Sequence, residues 1–164
     1  MDKEKREEEF TLFPWARVLE RAREISARHR EERIRRNTEI VESLSEKYPE
    51  LSRVLKDFIH KRVTMETTKD GGIFISYPAD VYEEGYSIKF KCRERTCTVR
   101  GVIETAGDRG SMELFREKMR YYGCKILSSE ICKDEYCIAS VRIRCSMSVD
   151  KLVEFIDKVL RRYL

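Results

Sequence analysis

Two stretches of the chain decide the fold, YSIKFKCRERTCTVRGVIET at residues 86–105 and CKILSSEICKDEYCIASVRIRC at residues 124–145. In each, apolar and polar residues alternate on both sides of a short polar turn. This alternation is typical of a β-hairpin with one buried face. The turn in each stretch is flanked by cysteines. The sequence therefore predicts two antiparallel hairpins, each closed by a Cys-x₄-Cys turn.

All six cysteines of the chain fall at matching positions in these hairpins. In each hairpin, the two cysteines that flank the turn face one another. In the second hairpin, the two outermost cysteines also occupy facing positions. Facing residues of antiparallel strands are close enough for a disulfide. We therefore predict disulfides, with buried free thiols and a metal site as the alternatives. The predicted pairs are Cys92 with Cys97, Cys124 with Cys145, and Cys132 with Cys137.

A zinc site is the metal alternative, and it would make Zn the only cofactor; otherwise we expect none. We expect the four turn-flanking cysteines to form one row at one end of the sheet. At about 4.8 Å per strand such a row spans about 14 Å, whereas zinc holds each sulfur about 2.3 Å away. This geometry favours disulfides over metal. The fallback ligands are Cys92, Cys97, Cys132 and Cys137.

Helical patterns follow each hairpin, at residues 111–122 and from Ser148 to the end of the chain. The order is ββαββα, which predicts an α+β fold with a ferredoxin-like, mixed antiparallel sheet. We expect the middle strands, 97–105 and 137–145, to be adjacent and parallel, with a right-handed crossover through the first helix. Both helices are expected on one face of the sheet.

One segment is similar to a known family. A strand ends in Glu104-Thr105, Gly-Asp-Arg-Gly follows at 107–110, and Tyr-Gly-Cys-Lys-Ile at 122–126 enters the next strand after a helix. Residues 97–164 thus resemble the ferredoxin-like core of ACT-type regulatory domains. The resemblance implies a domain that senses a small ligand or oligomerises. The family usually has a proline in the loop, which this chain lacks, and strand 86–92 takes the place of its last strand. The implied ligand loop is Asp108, Arg109 and Gly110.

The N-terminal part is predicted to be helical, followed by a hairpin. Residues 14–60 show helical periodicity, with a first helix from Pro14, a second capped by Thr38 and a third from Pro49. Lys-Asp-Gly-Gly at 69–72 predicts a hairpin over 62–77. We expect two domains, 1–78 and 79–164. The first would be a winged-helix-like or an oligomerisation module.

Arginine is concentrated near the start of the chain. Residues 17–36 carry eight arginines against four glutamates. Arginine neutralises phosphates and releases their counterions, so this segment is a candidate nucleic-acid contact. The alternative is a solvated helix held by Glu/Arg pairs at helical spacing. The candidate residues are Arg28, Arg30, Arg33, Arg35 and Arg36.

The outward face of the predicted sheet is also basic. Its cations are Lys89, Lys91, Arg100, Lys125, Arg142 and Arg144, and Glu104 is its main negative charge. Four apolar residues lie among them, Val102, Leu127, Ile131 and Ile138. We expect the N-terminal helices to cover this face in part, because the apolar residues need shelter. The alternative is a partner surface.

Composition indicates the kind of organism and the cellular compartment of this protein. The chain has no glutamine, Asn37 is its single asparagine, and charged residues make up 39%. These features favour a hyperthermophile, in which cytosolic disulfides are common. The charged start and the lack of a long apolar run lead us to expect no secretory leader and no membrane-spanning segment, and hence a cytoplasmic protein. No catalytic motif is present, so we do not expect an enzyme.

The function predicted from sequence is therefore non-catalytic regulation. The basic N-terminal helices would contact DNA or RNA, and the C-terminal domain would sense a ligand or oligomerise, with a homodimer expected. Edge strand 124–132 or the N-terminal helices would form the dimer interface. One alternative is a scaffolding module without a nucleic-acid role, and another is a metal-binding protein with a cysteine cluster.

Overall fold

The computed structural model describes residues 14–79 and 84–164. Two compact units divide the chain, Met1–Arg35 and Arg36–Leu164. A 30-residue helix, α1 (Pro14–Ser43), runs through the division. The described part of the first unit is entirely helical, and the second unit contains the whole sheet.

The second unit is built on a six-stranded sheet in the order β1-β2-β3-β4-β6-β5, and all neighbouring strands are antiparallel. The strands are β1 (Thr64–Thr67), β2 (Ile73–Tyr77), β3 (Gly85–Arg93), β4 (Thr96–Asp108), β5 (Cys124–Lys133) and β6 (Tyr136–Ser148). The α+β class predicted from sequence is confirmed.

Three further helices accompany the sheet. They are α2 (Pro49–Leu55), which continues as a 3₁₀ turn (Lys56–Phe58), α3 (Arg109–Tyr121), and α4 (Val149–Phe155), which continues as a π turn (Ile156–Leu160) and a 3₁₀ turn (Arg161–Tyr163). Gly123 stops α3 with φ of +76°, a left-handed conformation that glycine adopts freely. The Ser148 side chain caps α4 by accepting from the Lys151 backbone N–H. No described helix has the length and apolar character that crossing a membrane requires.

Both predicted cysteine hairpins form with the predicted register. Cys92 lies opposite Cys97 on β3 and β4, and the second hairpin pairs β5 with β6. Each facing pair is joined by a disulfide with a Cα–Cα distance of 4.0 Å. The disulfides are Cys92–Cys97, Cys124–Cys145 and Cys132–Cys137, and the described chain has no free cysteine.

The direction of the two middle strands was predicted wrongly. β4 and β6 are adjacent, as expected, but antiparallel, with Arg100 opposite Arg144. The physical reason is that α3 carries the chain from β4 to β5 at the far edge of the sheet. β5 is therefore the strand parallel to β4, and β6 returns between them as the second arm of a hairpin.

Because β4 and β6 are antiparallel, the four turn-flanking cysteines do not form the predicted row. Cys97 faces Met147 at one end of β6, whereas Cys137 faces Gly107 at the other. The two turn disulfides therefore lie at opposite ends of the sheet. The fallback zinc ligands Cys92, Cys97, Cys132 and Cys137 are not brought together, and the described residues contain no cluster of three or more potential metal ligands.

The core lies between one face of the sheet and the helices. Inward residues of β4 and β6 are fully buried, among them Val99, Ile103 and Val141. The helices contribute large buried side chains such as Phe115 and Phe155. The predicted assignment of inward and outward side chains on the strands is therefore confirmed. Burial of apolar area on this face is the main stabilising term.

The predicted break at Thr38 does not exist, because α1 continues to Ser43. Its neighbour Asn37 is buried and holds this part of α1 against the next segment. The Asn37 side-chain amide donates to the carbonyls of Ile59 (3.2 Å) and Val63 (2.8 Å), and its oxygen accepts from the Met65 N–H (3.0 Å). A buried network of this kind fixes the helix in place without a break.

The β1–β2 hairpin forms at the predicted position, but it is part of the large sheet. β2 pairs with β3 along its whole length, from Ile73 opposite Phe90 to Tyr77 opposite Tyr86. β1 and β2 therefore belong to the same unit as β3, whereas the sequence suggested domains at 1–78 and 79–164. The two compact units divide at Arg35/Arg36.

Candidate functional site

The outward face of the sheet carries a basic cluster, which we define as Lys89, Lys91, Arg100, Lys125, Arg142 and Arg144. Register places four of its members in one row across four adjacent strands. Lys89 faces Arg100, Arg100 faces Arg144, and Arg144 faces Lys125. At about 4.8 Å per strand the row is about 14 Å long. All members are exposed except Lys89, which is half-buried.

Most of the basic cluster lacks a neutralising carboxylate. Lys89 is its single member with an ion pair among the residues that the structure describes, at 2.8 Å from Asp70. The other five cations lie on one face of four adjacent strands, so their mutual repulsion is relieved only by solvent or by a bound anion. This arrangement is costly for the isolated fold, and it favours an anionic ligand.

Asp70 sets the boundary of the cluster at the β1–β2 turn. Hydrogen bonds from Lys89 Nζ and from Thr68 Oγ1 hold the pKa of the Asp70 carboxyl well below its usual range. Asp70 therefore stays ionised and takes up much of the charge of Lys89. The free positive charge is shifted toward β4, β6 and β5.

Glu104 limits the cluster along the strands. Its carboxylate accepts a hydrogen bond from Ser140 Oγ at 3.1 Å, on the neighbouring strand β6. Register places this pair one row beyond Val102 and Arg142, and so two rows beyond Arg100 and Arg144. The acidic side chain therefore marks one end of the positive surface.

Apolar side chains adjoin the cations. Val102 and Leu127 face Arg142 from its two sides, on β4 and β5. This row lies next to the row of Arg100 and Arg144. Together the two rows line a shallow depression of about 430 Å³, a size within the range of ligand sites.

Three of the four apolar residues on this face are exposed. Leu127, Ile131 and Ile138 are 70%, 79% and 51% exposed. The prediction that they are sheltered was therefore wrong. Exposed large apolar residues next to a charged surface are typical of contact surfaces.

The arginines of α1 are placed in two units. Arg28, Arg30 and Arg35 belong to the first unit and are exposed, and Arg33 is half-buried. Arg36 belongs to the second unit, where its guanidinium lies 3.6 Å from Glu66 on β1. A weak surface pair of this kind leaves the arginine accessible.

The residues of the predicted ligand loop, Asp108, Arg109 and Gly110, do not form a loop in the structure. Gly107 and Asp108 end β4, and Arg109 and Gly110 begin α3 directly. The Asp108 carboxylate caps α3 by accepting from the Ser111 N–H at 2.7 Å, which lowers the pKa of Asp108. Asp108 thus has a structural role as a helix cap, and a role for Arg109 or Gly110 in ligand binding stays a prediction.

The alternation of inward and outward residues in the sequence identified the members of the basic cluster but not their arrangement. Parallel middle strands would have placed Arg100 near Ser140, away from Arg144. The antiparallel register brings Arg100, Arg144 and Lys125 into one row. No pattern within β4 or β6 alone could have shown this.

Comparison with known proteins found no matching family model, no similar curated protein and no similar solved structure.

Proposed function

We propose that this protein is a non-catalytic nucleic-acid-binding protein that contacts its ligand through the basic cluster on the outward face of the sheet. The observation that carries the proposal is the cationic row across β3, β4, β6 and β5, which lies beside apolar side chains. Arginine and lysine side chains in this arrangement match the charge of a phosphate backbone.

The length of the row favours a polymer over a small anion. A single phosphate or carboxylate is satisfied by two or three donors at one point. Here the cations extend over about 14 Å, and five of the six have no ion pair among the described residues. An extended polyanion neutralises all of them and releases its own counterions.

The arginines of α1 support the same proposal. Arg28, Arg30 and Arg35 are exposed, and Arg36 has only a surface ion pair. We propose that they add further phosphate contacts. Such contacts strengthen binding without selecting a sequence.

We also propose that β3–β4–α3–β5–β6–α4 is a ferredoxin-like unit with one strand taken from the other end of the chain. The strand order β3-β4-β6-β5 and the crossover of α3 from β4 to β5 support this. A regulatory role through small-ligand sensing stays a prediction. Scaffolding is the rival function, and the exposure of Ile131 and Ile138 favours it.

The proposal is tested by measuring the affinity for labelled oligonucleotides at several salt concentrations. With about four phosphate contacts, log K should fall with log salt at a slope of about −3 for single strands and slightly more for duplexes. The variant Arg100→Ala/Arg144→Ala removes two contacts from the centre of the row. We expect its slope to be smaller by about 1.4 for single strands.

The matched control is Lys118→Ala/Arg120→Ala, which removes the same charge from exposed positions on α3. Because α3 packs on the inner face of the sheet, the control should bind like the unaltered protein. Absence of binding at low salt would overturn the proposal and leave scaffolding as the leading function. Equal losses in both variants would show that net charge, not the row, is responsible.

A further inference from the structure

We infer that the depression beside the cationic row holds an unstacked nucleobase, so that the ligand is single-stranded nucleic acid. This inference rests on the proposed function and specifies its ligand. Six outward side chains surround the depression. They are Arg100, Val102, Lys125, Leu127, Arg142 and Arg144.

The depression has two rows of different chemistry. Arg100, Arg144 and Lys125 form the first, and it is entirely cationic. The second places Arg142 between Val102 and Leu127. Successive outward positions on a strand lie about 7 Å apart, so a nucleotide can place its phosphate on the first row and its base on the second.

The second row suits the flat face of a base. Val102 and Leu127 offer apolar contact on both sides of a guanidinium, and Leu127 is 70% exposed. A guanidinium stacks on aromatic rings and remains charged. Arg142 with its two apolar neighbours can therefore contact a base of any identity, as single-strand-binding surfaces do.

A duplex cannot use this second row. Its bases are stacked and paired, and they are reached only through the grooves. The major groove is about 12 Å wide and admits a helix or a two-stranded ribbon. A face of six strands is about 24 Å wide. Duplex DNA would thus meet the cations with its phosphates and leave Val102 and Leu127 against a charged backbone.

The experiment compares three probes of equal length: a 12-nucleotide oligothymidylate, the same backbone without bases, and a duplex that contains the oligothymidylate. At 150 mM salt we expect the base-bearing single strand to bind at least about fivefold more tightly than the abasic strand and the duplex. Leu127→Ala should weaken the binding of oligothymidylate about threefold to tenfold and leave the salt slope unchanged, because no charge is removed.

Leu114→Ala is the matched control, since Leu114 is 67% exposed on α3, and it should bind like the unaltered protein. Both variants remove an exposed side chain, and unchanged unfolding midpoints with an unchanged mass by light scattering would confirm that they are folded and keep the oligomeric state of the unaltered protein. Equal affinity for abasic strand and oligothymidylate, or no effect of Leu127→Ala, would overturn the inference while the proposed function stands. No binding of any probe would overturn both.

Discussion

Asn37 shows how much one residue can determine in this protein. It is the single asparagine of the chain, it is fully buried, and its amide satisfies three backbone groups, two between α2 and β1 and one on β1. The sequence predicts a break beside it, with Thr38 as the cap of a second helix, and asparagine disfavours helix interiors. A tertiary hydrogen-bond network outweighs that local preference.

We predict that Asn37→Ala lowers the free energy of unfolding by about 3 kcal/mol, because it leaves the Ile59 and Val63 carbonyls and the Met65 N–H buried without partners. Urea denaturation measures this change. Glu39→Ala, an exposed position two residues on in the same helix, should change the free energy by less than about 0.5 kcal/mol. A loss below about 1 kcal/mol for Asn37→Ala would show that water or relaxation replaces the three bonds.

At the scale of elements, the two edges of the sheet differ. β1 is only four residues long, and its Glu66 forms an ion pair with Arg36. β5 is ten residues long, contains no proline or glycine, and has Leu127 and Ile131 exposed on its outward side. Long unpaired edges with apolar side chains invite pairing with another chain. β5 is therefore the edge suited to a second copy.

We predict a homodimer through antiparallel pairing of β5 with β5 about Ser129. This register places Leu127 of one copy against Ile131 of the other, and Lys125 against Lys133. The lysine pairs repel, so the dimer should tighten as salt rises. Light scattering at tens of micromolar protein should give twice the chain mass for the unaltered protein and a single chain mass for Ile131→Lys.

Leu114→Lys is the control for the dimer, because it places a lysine at an exposed leucine on α3 and should leave the dimer intact. Ile131 is 79% exposed, so its replacement is not expected to unfold the chain. A monomeric mass for the unaltered protein, or a dimeric mass for Ile131→Lys, would exclude this interface.

At the scale of the whole molecule, the candidate phosphate contacts form two groups, one on α1 and one on the outward face of the sheet. The formal net charge is only +4, so binding to polyanions depends on where the cations lie and not on their total. Four of the six sheet cations form one row across the strands, whereas the α1 arginines are distributed around a helix.

We predict that Arg28→Ala/Arg35→Ala, two exposed positions one heptad apart on one face of α1, weakens binding to all sequences and reduces the salt slope by up to about 1.4 for single strands. Preference for single strands over duplexes should be unchanged, because it depends on the sheet. Affinity measurements with the same oligonucleotide probes check both statements. An unchanged slope would mean that these arginines serve only to solvate the helix.

The sequence by itself determined the parts of the structure that depend on local register. The Cys-x₄-Cys turns fix each hairpin, the register of Cys92 and Cys97 follows from the turn, and the alternation of side chains separates the buried face from the basic one. Side chains alternate between the two faces of a sheet whether neighbouring strands are parallel or antiparallel. The outward cations were therefore identified even though the direction of β6 was not.

Only the tertiary structure decided how β4 and β6 meet. Alternation has a period of two in parallel and antiparallel pairs alike, so it carries no information on direction. Direction depends on where α3 delivers the chain, which is set by packing across the whole sheet. That choice places Arg100 beside Arg144 and separates the two turn disulfides. The candidate site is thus a product of long-range pairing, which no single segment of the sequence encodes.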